Sequence, residues 1–314
     1  MGLSIGVDVG GTKVAAGVVD ESGKIIDQLK KYTPAASPDD TIAVIAEAVT
    51  ELLGRHDVDA VGIGAAGFVD QTRSSVLFAP NLAWRDEPVK KLVEERIGRP
   101  VIVENDANAA AWAETKLGAA RGHNHVVLIT VGTGIGAGIV LDGRLYRGRF
   151  GSAGEPGHYR VVPDGRVCGC GNRGCWEQYA SGSALVAEAR DFAQRSPEAA
   201  ARLLHFGGGR VDLIDGPAVT RAAAEGDPGA RRCFEIVGNW LGTGLADLSA
   251  ILDPGCFVIG GGVSDAGELL LGPAREAYQH GLTGRTHRPY ADVRLAELGP
   301  DAGLIGAADL ARTG

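Results

Sequence analysis

The sequence predicts an α/β protein built from two related domains, and three observations support this. Apolar strand segments alternate with amphipathic helical segments along the 314 residues. The 48 glycines fall largely at the ends of apolar runs, where tight turns need them. Segment 5–20, "IGVDVGGTKVAAGVVD", aligns without a gap with segment 127–142, "VLITVGTGIGAGIVLD". Each copy has the pattern strand, glycine–threonine turn, strand, so we expect the unit to be repeated with a cleft between the two domains.

Strands and helices follow one another in the first part of the chain. We predict strands at 3–9, 13–20, 23–32, 58–67 and 100–106. Apolar residues at helical spacing predict a helix that starts after Ser37: Ile42, Ile45, Val49 and Leu52. A second helix is predicted over 87–98, with Pro88 near its start and Gly98 as its stop signal. A third follows over 107–118.

The remainder of the chain predicts the second domain and a return to the first. A buried strand within 254–265 runs into Gly260, Gly261 and Gly262 and then a helix. The last helix, within 299–312, is expected to cross back to the first domain. We therefore predict a smaller domain over 1–107, joined by 301–314, and a larger one over 108–300. The longest apolar stretch, 125–143, is interrupted by glycines and threonines, and predicts two strands rather than a membrane span.

Charge and the N-terminal sequence exclude several classes of function. The net charge is −8, and no basic stripe is visible, which argues against nucleic-acid binding. The chain begins almost at once with a strand, without the basic and apolar regions of a secretory signal. We therefore expect a cytoplasmic protein that binds neither nucleic acid nor a membrane. Thiols stay reduced in that compartment, so clustered cysteines favour a metal site over a disulfide.

The first candidate motif is "DVGGTK", Asp8 to Lys13. A strand that ends in Asp and runs into Gly10, Gly11 and Thr12 offers backbone N–H groups to a phosphate chain, and Asp8 suits a hydrated Mg²⁺. A plain hairpin turn also needs glycine and stays open as an alternative. The second copy, with Gly132, Thr133 and Gly134, favours a two-sided phosphate clamp.

Other nucleotide motifs are excluded. The string "GTGIGA" fits a loose dinucleotide fingerprint, but that motif must open a helix, and the segment here has the pattern of a strand. A Walker sequence is excluded because Lys13 follows Thr12 instead of preceding it.

The second motif, "VENDANAA", places Asn105 and Asp106 at a strand-to-helix junction. An Asp there is often the helix N-cap. The alternative is a general base at the carboxyl end of a strand, where α/β proteins bind ligands and where it would accept a hydroxyl proton during phosphoryl transfer.

The third motif is a cluster of soft metal ligands in a glycine-rich loop. His158, Cys168, Cys170 and Cys175 have the spacing H-x9-C-x-C-x4-C, which suits a closed tetrahedral Zn²⁺ site, with a loop of free thiols as the alternative. Glu155 and Glu177 flank the cluster within the loop 155–177. A metal clip would hold both carboxylates in place as acceptors for sugar hydroxyls, with a solvated surface glutamate at either position as the alternative. Cys233 and Cys256 are predicted core residues.

Together these segments resemble the ROK family of sugar kinases and sugar-responsive repressors, and they are similar to its actinobacterial glucokinases. The motifs that carry the resemblance are "DVGGTK", "ENDANAAAW", "EPGH", "CGCGNRGCWEQYASG" and "IGGGVSD". The resemblance implies an actin-like, ribonuclease-H-like ATPase fold and the transfer of phosphate from ATP to the 6-hydroxyl of glucose. It implies that Asp106 is the catalytic base and that the homo-oligomer is a dimer or tetramer.

The resemblance also implies a role for each matching position. Its sugar-binding positions are Gly67, Asn105, Asp106, Glu155, His158 and Glu177. Its phosphate segments are Asp8, Gly10, Gly11, Thr12 and Lys13, then Gly132, Thr133 and Gly134. Gly260, Gly261 and Gly262 match a segment near the adenosine. His158, Cys168, Cys170 and Cys175 match its structural zinc ligands, and Mg²⁺ would accompany ATP.

Several alternatives stay open from the sequence. The substrate could be mannose, fructose or an N-acylated hexosamine, and the donor could be polyphosphate. A transcription factor of the family would carry a helix-turn-helix ahead of the first glycine turn, and only seven residues precede Asp8. A non-catalytic sugar sensor is disfavoured because Asp8 and Asp106 are both present.

Overall fold

A computed structural model describes residues 2–313. Contacts between residues divide the chain into two compact units. The first comprises Met1–Leu128, Ala137–Gly154 and Ala296–Gly314; the second comprises Ile129–Gly136 and Glu155–Leu295.

The described residues form thirteen strands and ten α-helices. The strands are β1 (Ser4–Val9), β2 (Lys13–Val19), β3 (Ile25–Tyr32), β4 (Ala60–Ala65), β5 (Phe68–Val69), β6 (Val76–Phe78), β7 (Arg85–Glu87), β8 (Val101–Asn105), β9 (Val126–Val131), β10 (Ile135–Leu141), β11 (Arg144–Leu145), β12 (Cys256–Gly260) and β13 (Asp292–Leu295). The helices are α1 (Pro38–Leu53), α2 (Val89–Ile97), α3 (Asp106–Lys116), α4 (Glu177–Ala180), α5 (Gly182–Arg195), α6 (Ala201–Phe206), α7 (Gly216–Ala224), α8 (Pro228–Leu252), α9 (Glu268–Gly281) and α10 (Ala302–Thr313).

The first unit contains a five-stranded sheet with the order β3-β2-β1-β4-β8. Strands β1, β2 and β3 pair antiparallel, whereas β1, β4 and β8 are parallel, in a register that aligns Asp8 with Gly64 and Gly64 with Glu104. The carboxyl ends of the three parallel strands therefore share one edge of the sheet. This edge is where parallel α/β sheets bind ligands.

Local sequence signals explain the helices that pack on this sheet. Ser37 caps α1 by accepting a hydrogen bond from the backbone N of Asp40, and Ile42 and Ile45 on its inner face are fully buried. Helix α2 ends at Gly98, whose φ of 64° is the left-handed conformation that favours glycine. The predicted start of α1 and the predicted end of α2 are both confirmed.

Helix α10 packs tightly against the parallel strands and α3 within the first unit. A Cβ atom added to Gly62 would lie 1.9 Å from the carbonyl oxygen of Ala307, and one added to Gly306 would lie 1.8 Å from that of Ala109. The helix therefore approaches the sheet and α3 at backbone distance. The sequence-based division placed residues 108–300 in the larger domain, whereas contacts group α3 and residues 137–154 with the first unit.

A second sheet has the order β11-β10-β9-β12-β13, and a small one joins β5, β6 and β7. The second glycine turn lies between β9 and β10, as the repeat predicts. The predicted strand within 254–265 is β12, and a short 3₁₀ helix at Gly262–Ala266 precedes α9. Within residues 2–313, no helix is long and apolar enough to cross a membrane.

Candidate active site and metal centre

The first unit gathers several of the predicted residues at the carboxyl edge of its parallel strands. Asp8 is the second-last residue of β1, Asn105 ends β8 and Asp106 begins α3. A Cβ on Gly303, in the first turn of α10, would lie 3.6 Å from the carbonyl oxygen of Asp106 and 3.8 Å from Asp8 Oδ1. Segments separated by about 100 and 200 positions in the sequence thus meet around one glycine.

Asn105, and not Asp106, caps α3. Its Oδ1 accepts a hydrogen bond from the backbone N of Asn108 at 2.9 Å, and its Nδ2 donates to the carbonyl oxygen of Gly67 at 3.1 Å. Asp106 is the first helical residue, and its Oδ1 accepts from the backbone N of Ala107 at 2.9 Å. The N-cap reading of Asp106 is therefore wrong, because its neighbour performs that task. A carboxylate in the first turn is favoured in its ionised form by the helix dipole.

The first glycine turn joins β1 to β2 and is tied down by backbone hydrogen bonds. The backbone N of Gly10 donates to the carbonyl oxygen of Lys13 at 3.0 Å, and Thr33 Oγ1 donates to the carbonyl oxygen of Gly10 at 2.9 Å. A Cβ on Gly11 would lie 2.9 Å from that of Asn81, so only glycine fits without a shift. Thr12 and Lys13 are exposed.

Asp8 is half-buried below this turn. Burial raises the pKa of its carboxyl above the ordinary value, the positive charge of Lys13 lowers it, and the negative charge of Asp301 raises it again. A divalent cation would reverse the unfavourable effect of the two acidic groups. The position therefore fits Mg²⁺, which needs only one or two carboxylates when phosphates and water complete its shell.

The second unit brings the four predicted zinc ligands together. The ligand atoms of His158, Cys168, Cys170 and Cys175 all lie within 4.8 Å of one another. Cys168 Sγ lies 3.6 Å from His158 Nδ1, and Cys170 Sγ lies 3.6 Å from Cys175 Sγ. Tetrahedral zinc with Zn–S bonds of about 2.3 Å places its sulfurs roughly 3.7 Å apart. The chemistry and the spacing of the group therefore fit a closed structural zinc site.

The predicted carboxylates lie beside this group. Glu177, the first residue of α4, places Oε1 3.0 Å from Cys168 Sγ and 3.7 Å from His158 Nδ1. Burial raises the pKa of Glu155, while the nearby His158 lowers it and Glu177 raises it. A Cβ on Gly134 would lie 2.5 Å from Glu177 Oε2. The second glycine turn thus abuts the loop that carries the metal ligands.

A cavity of about 1110 Å³ opens beside the glycine turns of the second unit. Gly132, Thr133 and Gly262 line one part of it. The backbone N of Gly182, at the start of α5, donates to the carbonyl oxygen of Gly132 at 2.7 Å. A Cβ on Gly261, whose φ is 83°, would lie 2.6 Å from the carbonyl oxygen of Val131, so a side chain there would close the approach. Gly260, Gly261 and Gly262 thus form the end of β12 and the turn that borders the cavity.

Sequence reasoning missed the far wall of this cavity. The lining side chains from α5, α7 and the turn before α7 include Ser183, Val186, Arg190, Asp215, Thr220 and Arg221. Asp215 is the N-cap of α7 and the others lie on ordinary helical segments, without glycine-turn motifs or unusual spacing, so no local signal identifies them as lining residues. Only the pairing of the helices brings them to the glycine turns.

Comparison with known proteins gives the affiliation of the chain. The model of the ROK family matches residues 4–314. The chain belongs to the ROK family. The prediction of this family from the sequence motifs is confirmed.

Relatives in the ROK family match over the whole chain. The glucokinase of Streptomyces coelicolor is 54% identical over 312 residues, which cover 99% of this chain and 98% of the relative. The crystal structure of a ROK family glucokinase from Streptomyces griseus in complex with glucose and AMPPNP is 56% identical, with a TM-score of 0.90 and full coverage of both chains. The ROK hexokinase of Thermus thermophilus is 37% identical, with a TM-score of 0.79 and coverage of 99% and 98%. The predicted actin-like α/β fold is thereby confirmed.

Proposed function

We propose that this ROK protein transfers the γ-phosphoryl group of ATP to the 6-hydroxyl of glucose, giving glucose 6-phosphate. The observation that carries the proposal is the likeness to the Streptomyces griseus glucokinase, whose structure contains glucose and an ATP analogue. That likeness extends over both chains completely. The described residues of each unit offer groups suited to the reaction.

Asp106 is the proposed general base. A base must meet the hydroxyl proton with an oxygen at hydrogen-bond distance, and a rigid helix start fixes that oxygen better than a loop. Asn105 holds the start of α3 through its bonds to Asn108 and Gly67. The carboxylate of Asp106 would align the 6-hydroxyl and accept its proton as the new O–P bond forms and the bond to the leaving ADP oxygen breaks.

The proposed phosphate ligands come from both glycine turns. They are Asp8, Gly10, Gly11, Thr12 and Lys13 in the first unit, and Gly132, Thr133 and Gly134 in the second. Backbone N–H groups in such turns bind phosphate oxygens without side chains that would obstruct them. Asp8 would hold Mg²⁺, which when bound neutralises the charge of the β- and γ-phosphates. The cavity beside Gly260, Gly261 and Gly262 is the proposed adenosine site.

The proposed sugar ligands are Glu155, Glu177, His158, Asn105 and Gly67. Carboxylates accept hydrogen bonds from sugar hydroxyls, and fixed acceptors select which hydroxyl presents itself for reaction. His158 directs Nδ1 toward Cys168, which leaves Nε2 for a sugar hydroxyl. Zinc bound by His158 and the three cysteines has all four positions filled, so its contribution is structural.

A coupled assay of purified protein tests the proposal. Glucose, mannose, fructose and N-acetylglucosamine are each offered with ATP–Mg²⁺ or with polyphosphate, and release of ADP is measured. We expect the highest kcat/KM for glucose with ATP. A preference for another hexose or for polyphosphate would contradict the proposed substrates while retaining phosphoryl transfer.

We propose that the protein acts in the cytoplasm, where reduced thiols and ATP are available, and that it forms a dimer or tetramer. Light scattering coupled to size-exclusion chromatography measures the oligomeric state. A monomer at micromolar concentration would overturn the latter proposal.

A further inference from the structure

A buried carboxylate immediately precedes the proposed catalytic segment. Glu104, in β8, is only 2% exposed. Its Oε1 accepts hydrogen bonds from the backbone N of Asn105 at 3.1 Å and from Nδ2 of Asn108 at 3.0 Å. Asn108 in turn donates its backbone N–H to Asn105 Oδ1. Glu104 Oε1 therefore binds both Asn105 and Asn108, the two residues whose hydrogen bond caps α3 on either side of Asp106.

The other oxygen of Glu104 accepts hydrogen bonds from Arg147 and forms a longer ion pair with Arg73. Arg147 donates to Oε2 through Nε at 2.7 Å and through Nη2 at 2.6 Å. Arg73 places its Nε 3.5 Å from the same oxygen. The side chain of Arg147 is 23% exposed and that of Arg73 is 16% exposed. Burial and the charge of Arg147 lower the pKa of Arg73, whereas Glu104 raises it. Glu104 is the carboxylate that balances two largely buried positive charges, and a buried charge left without its partner is costly.

These contacts join three segments of the first unit at one point. Arg73 belongs to the turn between β5 and β6, and Arg147 follows β11. The segment that carries Arg147 also packs on the end of β5 and the β5–β6 turn, since a Cβ on Gly151 would lie 2.5 Å from the carbonyl oxygen of Val69 and 2.9 Å from the backbone N of Gln71. The end of β8 is thus held by two segments outside the helices and strands, namely the turn between β5 and β6 and the segment that follows β11.

We propose that Glu104, clamped by Arg147 and Arg73, is a positioning residue that sets the orientation of Asn105 and Asp106. The inference rests on the proposed function and adds residues to it that the sequence motifs did not assign. Misplacement of a reacting group by about 1 Å costs up to roughly 100-fold in rate. Loss of the clamp should therefore lower kcat, while the phosphate turn at Asp8 to Lys13 keeps its own hydrogen bonds and KM for ATP stays unchanged.

The decisive variant is Glu104→Gln, which keeps the shape of the side chain but removes its charge. We expect kcat to fall by about 10- to 100-fold, with KM for ATP within about twofold of the wild type. Arg147→Met should cause a similar loss, and Arg147→Lys a smaller one, because lysine keeps the charge but lacks the planar fork. The double variant Glu104→Gln/Arg147→Met should be no worse than either single variant, since both remove the same interaction.

Glu114→Gln is the matched control. Glu114 is fully buried in α3 and accepts hydrogen bonds from the backbone N of Ala119 and Leu298, so it stabilises the fold away from the start of the helix. We expect a lower Tm with kcat within about twofold, measured below the melting temperature of every variant. An equal loss of kcat in Glu114→Gln and Glu104→Gln would overturn the positioning role in favour of a purely structural one. An unchanged kcat in Glu104→Gln would overturn the positioning role as well.

Amide hydrogen exchange separates this inference from the proposed function. Glu104→Gln should speed exchange at the backbone amide of Asn105, which is bonded to Glu104 Oε1. It should also speed exchange at Asn108, whose side chain is bonded to Glu104 and whose backbone N–H is bonded to Asn105 Oδ1. This readout needs no activity. Wild-type protein that fails to phosphorylate glucose would contradict the proposed function alone. Unchanged exchange at both amides would overturn the positioning role. If Glu104→Gln does not fold, the same measurements on Arg147→Met decide the question.

Discussion

At the scale of single residues, Asp106 carries the most demanding chemical role. Asp106→Ala removes the proposed base, and the cap formed by Asn105 keeps the start of α3 in place. We expect kcat to fall by at least about 100-fold, within the usual range for loss of general base catalysis. The protein should stay folded and bind glucose, as measured by calorimetry. Retention of a tenth of the wild-type turnover would remove Asp106 from this role.

The half-buried carboxylate of Asp8 is expected to lower the stability of the folded protein at neutral pH. Its pKa is raised in the folded protein by burial and Asp301, so folding favours the protonated form, and the contribution of Asp8 to stability declines as the pH rises through the folded pKa. Asp8→Asn removes that cost and should raise Tm at pH 7 to 8 by about 2 to 4 °C. The gain should disappear at acidic pH, where the wild-type carboxyl is protonated.

The same variant should lose ATP-dependent turnover by about 100-fold or more, since the carboxylate proposed to hold Mg²⁺ is gone. Thermal unfolding across the pH range and the coupled kinase assay measure the two effects on one preparation. A lower Tm at neutral pH would show that Asp8 is held by favourable contacts that outweigh its burial.

At the scale of elements, the loop 155–177 forms a fixed unit around its metal ligands. Cys170→Ser removes one of four ligands, and should release zinc and raise KM for glucose by about 10-fold, in the range seen when metal sites lose supporting groups. KM for ATP should change by less than about twofold. Metal analysis of the purified variant, followed by steady-state kinetics, provides the measurement.

Cys233→Ser is the control for this change. Cys233 is a buried thiol of α8 outside the ligand group, so its loss should leave both zinc content and KM for glucose unchanged. Equal increases of the two KM values in Cys170→Ser would show that the loop only maintains the unit, and the link between zinc and sugar would have to be abandoned.

Elements whose signals are local could be predicted from the sequence. Local signals predicted the helix ends at Ser37 and Gly98 and the metal ligands from His158 to Cys175, because each signal lies within a short segment. The clamp on Glu104 was not predicted, because Arg147 lies 43 positions away and only the packing of loops brings it near. The cavity wall formed by α5 and α7 was missed for the same reason.

At the scale of the whole molecule, ligand binding should distinguish a kinase from the sugar-responsive repressors that the family resemblance also implies. A ligand at 100 times its Kd adds about 2.7 kcal/mol to the free energy of unfolding, which for a chain of this size raises Tm by several degrees. Glucose and ATP–Mg²⁺ should each produce such a shift in thermal unfolding. Duplex DNA should produce none, because the net charge of −8 opposes the phosphate backbone. A shift with DNA, or with polyphosphate in place of ATP, would contradict the proposed donor and role.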